Sequence, residues 1–309
     1  MLRRTISVAL LAALAAAGVY WWLSAPVVAA AGTAPARVPD LANGQVMFNA
    51  GGCASCHAVP DQPDRLRLGG GVAIKSPFGT FYAPNISSDP TDGIGKWSDA
   101  EFVNAVIHGV APDGRHYFPA FPYTSYQHAR REDVLDLFAY LKTLPAVAGK
   151  VRDHDVRFPF NIRRNVGIWK FLFMDGEPFV ADSAKSPQWN RGAYLVNSFG
   201  HCAECHSPRN ALGGIMAGQR FAGGPNPEGE GWVPNITQKG IGEWSAKDIA
   251  YFLKTGELPD GDSVGGAMTR VIKNTSQLPD DDLAAMADYL KSLPPVDGPP
   301  RPKRKEGGA

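Results

Sequence analysis

The sequence predicts an all-α chain: two tandem helical domains behind a single N-terminal apolar helix. Three observations carry this. An apolar run fills the stretch from Ile6 to Leu23. The string Cys-x-x-Cys-His occurs twice, as Cys53-Ala54-Ser55-Cys56-His57 and Cys202-Ala203-Glu204-Cys205-His206. The stretches that follow the two strings repeat one another at a nearly constant spacing.

The chain has 309 residues, enough for two domains with a core in each. Its 31 basic and 30 acidic residues nearly cancel, so nothing points to nucleic acid as a partner. The 34 glycines and 26 prolines predict domains rich in loops.

At the N-terminus, Arg3 and Arg4 precede the apolar run, the pattern of an export signal. From Thr5 to Leu23 the run is 19 residues, about the minimum that spans a bilayer. Trp21 and Trp22 at its far end suit an interfacial belt. Ala29-Ala30-Ala31 offers the alternative, a cleavage site for a removed signal peptide. The length and the aromatics favour residues 1–32 as an uncleaved transmembrane anchor. In either case the arginines stay inside, and the rest of the chain lies on the periplasmic side of a bacterial cytoplasmic membrane.

The two Cys-x-x-Cys-His strings use all four cysteines, leaving none for disulfides. Cys-x-x-Cys-His is the attachment pattern of c-type haem. Two intervening residues set the thiols a vinyl-to-vinyl distance apart, and the next residue, histidine, gives the iron an axial nitrogen. A structural zinc site also uses Cys-x-x-Cys pairs but needs four convergent ligands, whereas here each pair carries its own histidine. A thioredoxin-like motif rarely has that histidine and belongs in a βαβ pattern, which is missing. Two covalently bound haem c groups are therefore expected, on Cys53, Cys56 and His57 and on Cys202, Cys205 and His206.

The repeat is detailed. Pro84-Asn85-Ile86 returns as Pro234-Asn235-Ile236, Trp97-Ser98 as Trp244-Ser245, and Pro112-Asp113-Gly114 as Pro259-Asp260-Gly261. The offset is 147 at the tryptophans and 149 at both the cysteines and the Tyr140-Leu141-Lys142 and Tyr289-Leu290-Lys291 strings, so each half has compensating two-residue gaps. Short helices lead into the motifs around 40–52 and 188–201. Ser98-x-x-Glu101 and Ser245-x-x-Asp248 read as capping boxes, with Gly109 and Gly256 as stops. Apolar spacing at Val134, Leu137, Phe138, Leu141 and at Leu283, Met286, Leu290 predicts a closing helix in each half. This order, a haem motif after the first helix and an apolar helix at the end, is that of a class I cytochrome c domain. The expected division is anchor 1–32, domain one 33–147, an ordered strap 148–187, domain two 188–295 and a disordered basic tail 296–309.

The sixth iron ligand divides the halves. Met268 lies 62 residues after His206 in a Gly265-Gly266-Ala267-Met268 loop, which suits a thioether ligand to the second haem. The 147 offset places Phe121 opposite Met268, and phenylalanine cannot ligate iron. The first haem then has an open face or another ligand; His116 is the nearest candidate, followed by His108, His128 and Met174. Trp97, Trp244, Tyr82 and Trp232 are expected as aromatics lying on haem, and Arg65, Arg67 and Arg209 either pair with propionates or stay solvated. Asn85 and Asn235 are expected to bond nearby backbone.

Further strings carry a resemblance. Thr80-Phe81-Tyr82-Ala83-Pro84-Asn85-Ile86, the run Asp113–Tyr123, Asn190-Arg191-Gly192-Ala193-Tyr194-Leu195-Val196 and the run Gly200–Asn210 resemble the cytochrome c subunits of membrane-bound alcohol, gluconate and aldehyde dehydrogenases. The similarity covers roughly residues 41–295. It implies His57 and His206 as proximal ligands, Met268 as a distal ligand, and no catalytic residues. It also implies an electron-transfer role, from a periplasmic dehydrogenase to a quinone, another cytochrome or a terminal oxidase. Many such subunits carry three haems and a methionine where Phe121 stands; this chain has two motifs and a phenylalanine. A di-haem enzyme, a peroxidase or sulfur-compound oxidase working at an open first haem, is the competing expectation, and a gas sensor a more remote one.

Overall fold

A computed structural model describes residues 2–28 and 37–301. The alternative cleavage string Ala29-Ala30-Ala31 and the tail basics Lys303, Arg304 and Lys305 lie outside the described residues. Helix α1, Leu2–Leu23, is long and apolar enough to cross a membrane, and none of its residues is buried in the protein. At 1.5 Å per residue it is about 33 Å long, close to the hydrocarbon thickness of a bilayer.

The first half contains α2 (Leu41–Ala50), α3 (Cys53–His57), strands β1 (Ala73–Ser76) and β2 (Gly79–Tyr82), then α4 (Asp99–His108), α5 (Tyr123–Tyr126) and α6 (Arg131–Thr143). The strap adds β3 (Asp155–Val156) and α7 (Asn165–Phe173). The second half repeats the plan with α8 (Pro187–Asn197), α9 (Ala203–His206), the short pair β4 (Gly224–Pro225) and β5 (Trp232–Val233), α10 (Gln238–Ile241), α11 (Ala246–Thr255), α12 (Met268–Thr275) and α13 (Asp280–Lys291). The fold is thus mainly helical rather than all-α. A β1–β2 hairpin pairs Ala73 with Tyr82, and β3 joins it at Gly79 and Thr80. Strands of two to four residues are too short to show a period of two, so the sequence pattern did not announce them.

Local signals start and stop the helices. Ser98 and Glu101 form a reciprocal capping box on α4, and Ser245 and Asp248 form one on α11. Gly109 (φ 59°) and Gly256 (φ 78°) take the left-handed conformation that ends both helices.

The frame of each half is the crossing of its first and last helices, α2 on α6 and α8 on α13. Both crossings need a glycine. A Cβ on Gly44 would lie 2.2 Å from the Asp136 carbonyl oxygen, and one on Gly192 would lie 1.8 Å from that of Ala285. Ion pairs fasten the same crossings: Arg37 to Asp136 at 2.6 Å, and Arg191 to Asp282 by two bonds of 2.7 and 2.9 Å.

Instead of a separate core in each half, one continuous apolar cluster runs through both. It joins Met47, Phe138 and Leu141 of the first to Tyr194, Phe199 and Met286 of the second. The strap is pinned to both halves. Lys170 donates to the His108 and Gly109 carbonyls, while Trp169 Nε1 donates to the Leu212 carbonyl. Past α13 the chain stays tied down for a few residues beyond the expected domain end. Asn235 holds the Val296 carbonyl at 2.8 Å, and Asp297 pairs with Lys239 at 3.0 Å.

Gly192→Ala is expected to destabilise the protein by about 1–3 kcal/mol through overpacking at the α8–α13 crossing. Chemical denaturation of the haem-loaded protein checks this; an unchanged midpoint would mean that the helices can slide apart at no cost.

Candidate haem-binding sites

Each Cys-x-x-Cys-His string sits on a short helical turn, α3 or α9, directly after the first helix of its half. That turn carries the second cysteine and the histidine of each motif within one short helical stretch. All four cysteines are free and half-buried. Before attachment to haem, burial pushes the Cys53 and Cys205 thiols up to about 12 and the Cys56 and Cys202 thiols up to about 11. A thioredoxin-type cysteine has the opposite shift. Among the described residues no three His, Cys, Asp or Glu side chains gather as a metal site.

The histidines are prepared for iron. His57 Nδ1 lies 2.8 Å from the Pro84 carbonyl, and His206 Nδ1 lies 2.8 Å from the Pro234 carbonyl. A carbonyl only accepts, so Nδ1 carries the hydrogen and Nε2 keeps its lone pair for a metal. Burial holds both imidazoles below their ordinary pKa, against the smaller opposing pull of the carbonyls, and so favours the neutral, ligating form. The carbonyls belong to the repeated Pro-Asn-Ile strings. Asn85 Oδ1 accepts from Ser87 N–H and Asn235 Oδ1 from Thr237 N–H, while their amides bind the Val147 and Val296 carbonyls. These residues fit covalently held haem: two thiols and one directed imidazole at each site.

Met268 opens α12 and packs, half-buried, against the shared core. The two halves differ in length in this very loop. The bridge Val110–His116 has its counterpart in Glu257–Ser263, at an offset of 147. The bond from Gln127 N–H to the Tyr123 carbonyl has its counterpart between Ser276 and Ile272, at 149. Two extra residues therefore lie between Ser263 and Ile272, around Met268. In the shorter loop of the first half Phe121 is surrounded by Tyr117, Tyr123 and Tyr126, with ring centres 5.5–6.4 Å away.

Two of the histidines considered for the first haem bond backbone carbonyls through one ring nitrogen. His116 is buried, and its Nε2 donates to the Ser24 carbonyl at 3.0 Å, while Nδ1 is buried without a partner. His128 Nδ1 bonds the Glu177 carbonyl at 2.6 Å, the His108 carbonyl receives Lys170, and Met174 caps α7. Trp97 and Trp244 pack half-buried on the core, Trp232 lies in β5, and Arg152 stacks on Tyr82 at 4.6 Å. Arg65 bonds Asn274 Oδ1 and the Lys273 carbonyl, Arg209 pairs with Glu204, and Arg67 is exposed.

The x positions of the motifs, which sequence reasoning passed over, join the halves reciprocally. Ser55 Oγ accepts from Asn274 Nδ2 of α12 at 2.7 Å. Glu204 Oε1 accepts from Thr124 and Ser125 of α5 at 2.5 and 2.9 Å. Ser55 and Glu204 are equivalent positions 149 apart, and so are Ser125 and Asn274. Tyr194 of α8 also donates to Asp133 of α6 at 2.5 Å, and His201 Nε2 donates to the Gly51 carbonyl at 3.2 Å. No local pattern marks such contacts.

Burial raises the pKa of the Glu204 carboxyl, but Arg209 and the two hydroxyls outweigh it, and the net shift is downward. A carboxyl held low in the folded state contributes stability that is complete above its ordinary pKa of about 4.3 and is lost as pH falls through the folded value. Glu204→Gln should cost about 1.5–3 kcal/mol at pH 7, with the gap to the parent protein closing below pH 4. Denaturation curves at both pH values decide it, and a pH-independent gap would contradict the assignment.

Comparison with known proteins agrees with the geometry. The profile of the cytochrome c family matches residues 41–145 and again 190–294, one match per half. A diheme cytochrome c-type protein of Cereibacter sphaeroides is 46% identical over 298 residues, covering 96% of this chain and 100% of that protein. The fructose dehydrogenase cytochrome subunit of Gluconobacter japonicus is 38% identical over 266 residues, which cover 84% of this chain. The cytochrome c subunit of a quinone-type alcohol dehydrogenase from Gluconacetobacter polyoxogenes is 38% identical over 283 residues, covering 86% of this chain. The chain spans 54% and 59% of the lengths of these two subunits. Its two motifs carry two covalently bound haem c groups. Two complete domains, each with its attachment motif and directed histidine, establish that the chain belongs to the cytochrome c family.

Proposed function

We propose that this protein is a membrane-anchored electron carrier whose haem domains face the periplasm. It takes electrons from a periplasmic dehydrogenase and passes them to the respiratory chain through a quinone, another cytochrome or a terminal oxidase. The single observation that supports this most is the reciprocal contact of the two motifs: each attachment turn is hydrogen-bonded to the opposite half, so both cofactor sites belong to one rigid assembly. The names of the dehydrogenase cytochrome subunits among its relatives point the same way.

When bound, each haem supplies a one-electron couple. The chain's own residues hold and tune it. His57 and His206, oriented by the proline carbonyls, would each ligate an iron, and Met268 would be the further ligand of the second. The cysteines would tether each haem covalently. For the first haem His57 is the assigned ligand, and the aromatic ring set around Phe121 makes that loop apolar.

Full-chain protein in lipid nanodiscs, mixed with a periplasmic quinoprotein dehydrogenase and its alcohol substrate, should show reduction of both haems by stopped-flow absorbance. A soluble quinone analogue should reoxidise them. Carbon monoxide should leave the spectrum of the Met268 haem unchanged, and peroxide should not be turned over at either haem; catalytic consumption of peroxide at the first haem would instead support the di-haem enzyme. In Met268→Ala the potential of one haem should fall by on the order of 0.1 V, part of the roughly 0.8 V span that axial ligands command. Spectroelectrochemistry reads this, and two unshifted potentials would remove Met268 from the ligand set.

A further inference from the structure

The last turn of α1 is welded to the strap. Tyr20 Oη donates to Asn165 Oδ1 at 2.9 Å. Arg164 donates to the Trp21 carbonyl at 2.6 Å and to Ser24 Oγ at 2.7 Å, and its guanidinium lies 4.0 Å from the centre of the Trp21 ring. Gly167 packs so closely that a Cβ there would meet the Ser24 carbonyl oxygen at 2.5 Å. The buried His116 completes the joint from the first domain, through its bond to the same carbonyl. The strap therefore cannot move independently of the end of α1.

Immediately beside this joint the strap exposes large apolar side chains. Phe158 is 77% exposed, Phe160 45% and Ile162 40%, and Phe171 and Leu172 continue the apolar surface along α7. Arg157 is exposed in the same stretch, while Arg163 turns inward, donating to the His116 carbonyl and lying 4.5 Å from the Phe118 ring centre. Exposed aromatics interleaved with basic residues are the composition of a segment lying in a membrane interface, with rings among the acyl boundary and arginines toward anionic headgroups. The joint supplies the height. If α1 spans the bilayer, Tyr20 and Trp21 mark its outer interface, and Asn165 and Arg164 are bonded to them at that level.

We propose that residues 157–165 of the strap form a foot that rests in the outer interface of an anionic bilayer and fixes the tilt of both haem domains over the membrane. This deepens the anchored-carrier reading and rests on α1 as the anchor. The occupant of the apolar surface is lipid, not a protein, because the surface is continuous with the interfacial end of a spanning helix and has the exposed Arg157 beside it for an anionic headgroup. It also gives His116 a role as a positioning residue of the joint.

The test uses nitroxide labels on single introduced cysteines, the only free thiols once the four native ones hold haem. Full-chain, haem-loaded protein carrying Phe160→Cys, Leu11→Cys or Val180→Cys is placed in nanodiscs containing phosphatidylglycerol. Accessibility to oxygen and to a water-soluble nickel chelate is then read by EPR power saturation. The expected result is an oxygen-to-nickel accessibility ratio at 160 several-fold above that at 180, and closer to that at 11. A label at 11 in lipid with 160 as aqueous as 180 overturns the foot and leaves the anchor standing. A label at 11 that is aqueous or lost by cleavage, with 160 in lipid, overturns the anchor and supports the foot. Aqueous signals at both overturn both. Burial of 160 only after a dehydrogenase is added also overturns the foot, because it makes the surface a protein-docking site.

Discussion

The bond from each proximal histidine to a proline carbonyl governs more of this structure than its length suggests. It selects the tautomer that leaves Nε2 for iron, and it ties the attachment turn to a loop 27 or 28 residues further on. The asparagine after that proline then grips the backbone beyond the closing helix, at Val147 in the first half and Val296 in the second. Motif, loop and domain end thus form one hydrogen-bonded series, built twice. Buried imidazole and amide groups would be costly without those partners, so the loops have little freedom to be placed elsewhere.

Around that series, helix crossings at Gly44 and Gly192 set the frame, and the two frames share a core. The fraction of surface a domain buries rises with its size. Here the halves bury surface against each other, and a large apolar cofactor occupies space that side chains would otherwise fill. The strap runs over both and carries the connection to α1. Interdomain hydrogen bonds through Glu204, Ser55 and Tyr194 orient the halves, while the apolar cluster supplies the driving force.

Much of this was legible in the sequence because it is local. Cap residues three apart, a glycine directly after a helix, and two thiols followed by histidine all act within a few residues. The repeat extended that reading, since what one half shows the other must obey. What escaped was long-range or very short. The hairpin at 73–82 and its third strand from the strap have no period to detect. Ser55 and Glu204 look like fillers between cysteines until α12 and α5 arrive from the opposite half. His116 reads as a ligand candidate beside a loop lacking methionine, but its partner is a backbone carbonyl 92 residues earlier. The two extra residues that separate the Met268 loop from the Phe121 loop were visible as a change of offset, yet only the backbone bonds locate them.

The reciprocal pairing of Ser55 with Asn274 and of Glu204 with Ser125 has the form of an isologous interface, in which one surface patch meets its own copy across a two-fold axis. Such a contact is ordinarily made by two identical subunits and dissolves on dilution. Joined in one chain, it becomes independent of concentration, and the copies are released from the identity that symmetry imposes on a homodimer. One copy of the patch then drifts to serine and the other to a buried glutamate, one loop keeps a methionine and the other a phenylalanine. A tethered dimer of this kind can hold two unlike redox centres in an arrangement that two free, identical subunits could offer only as a matched pair.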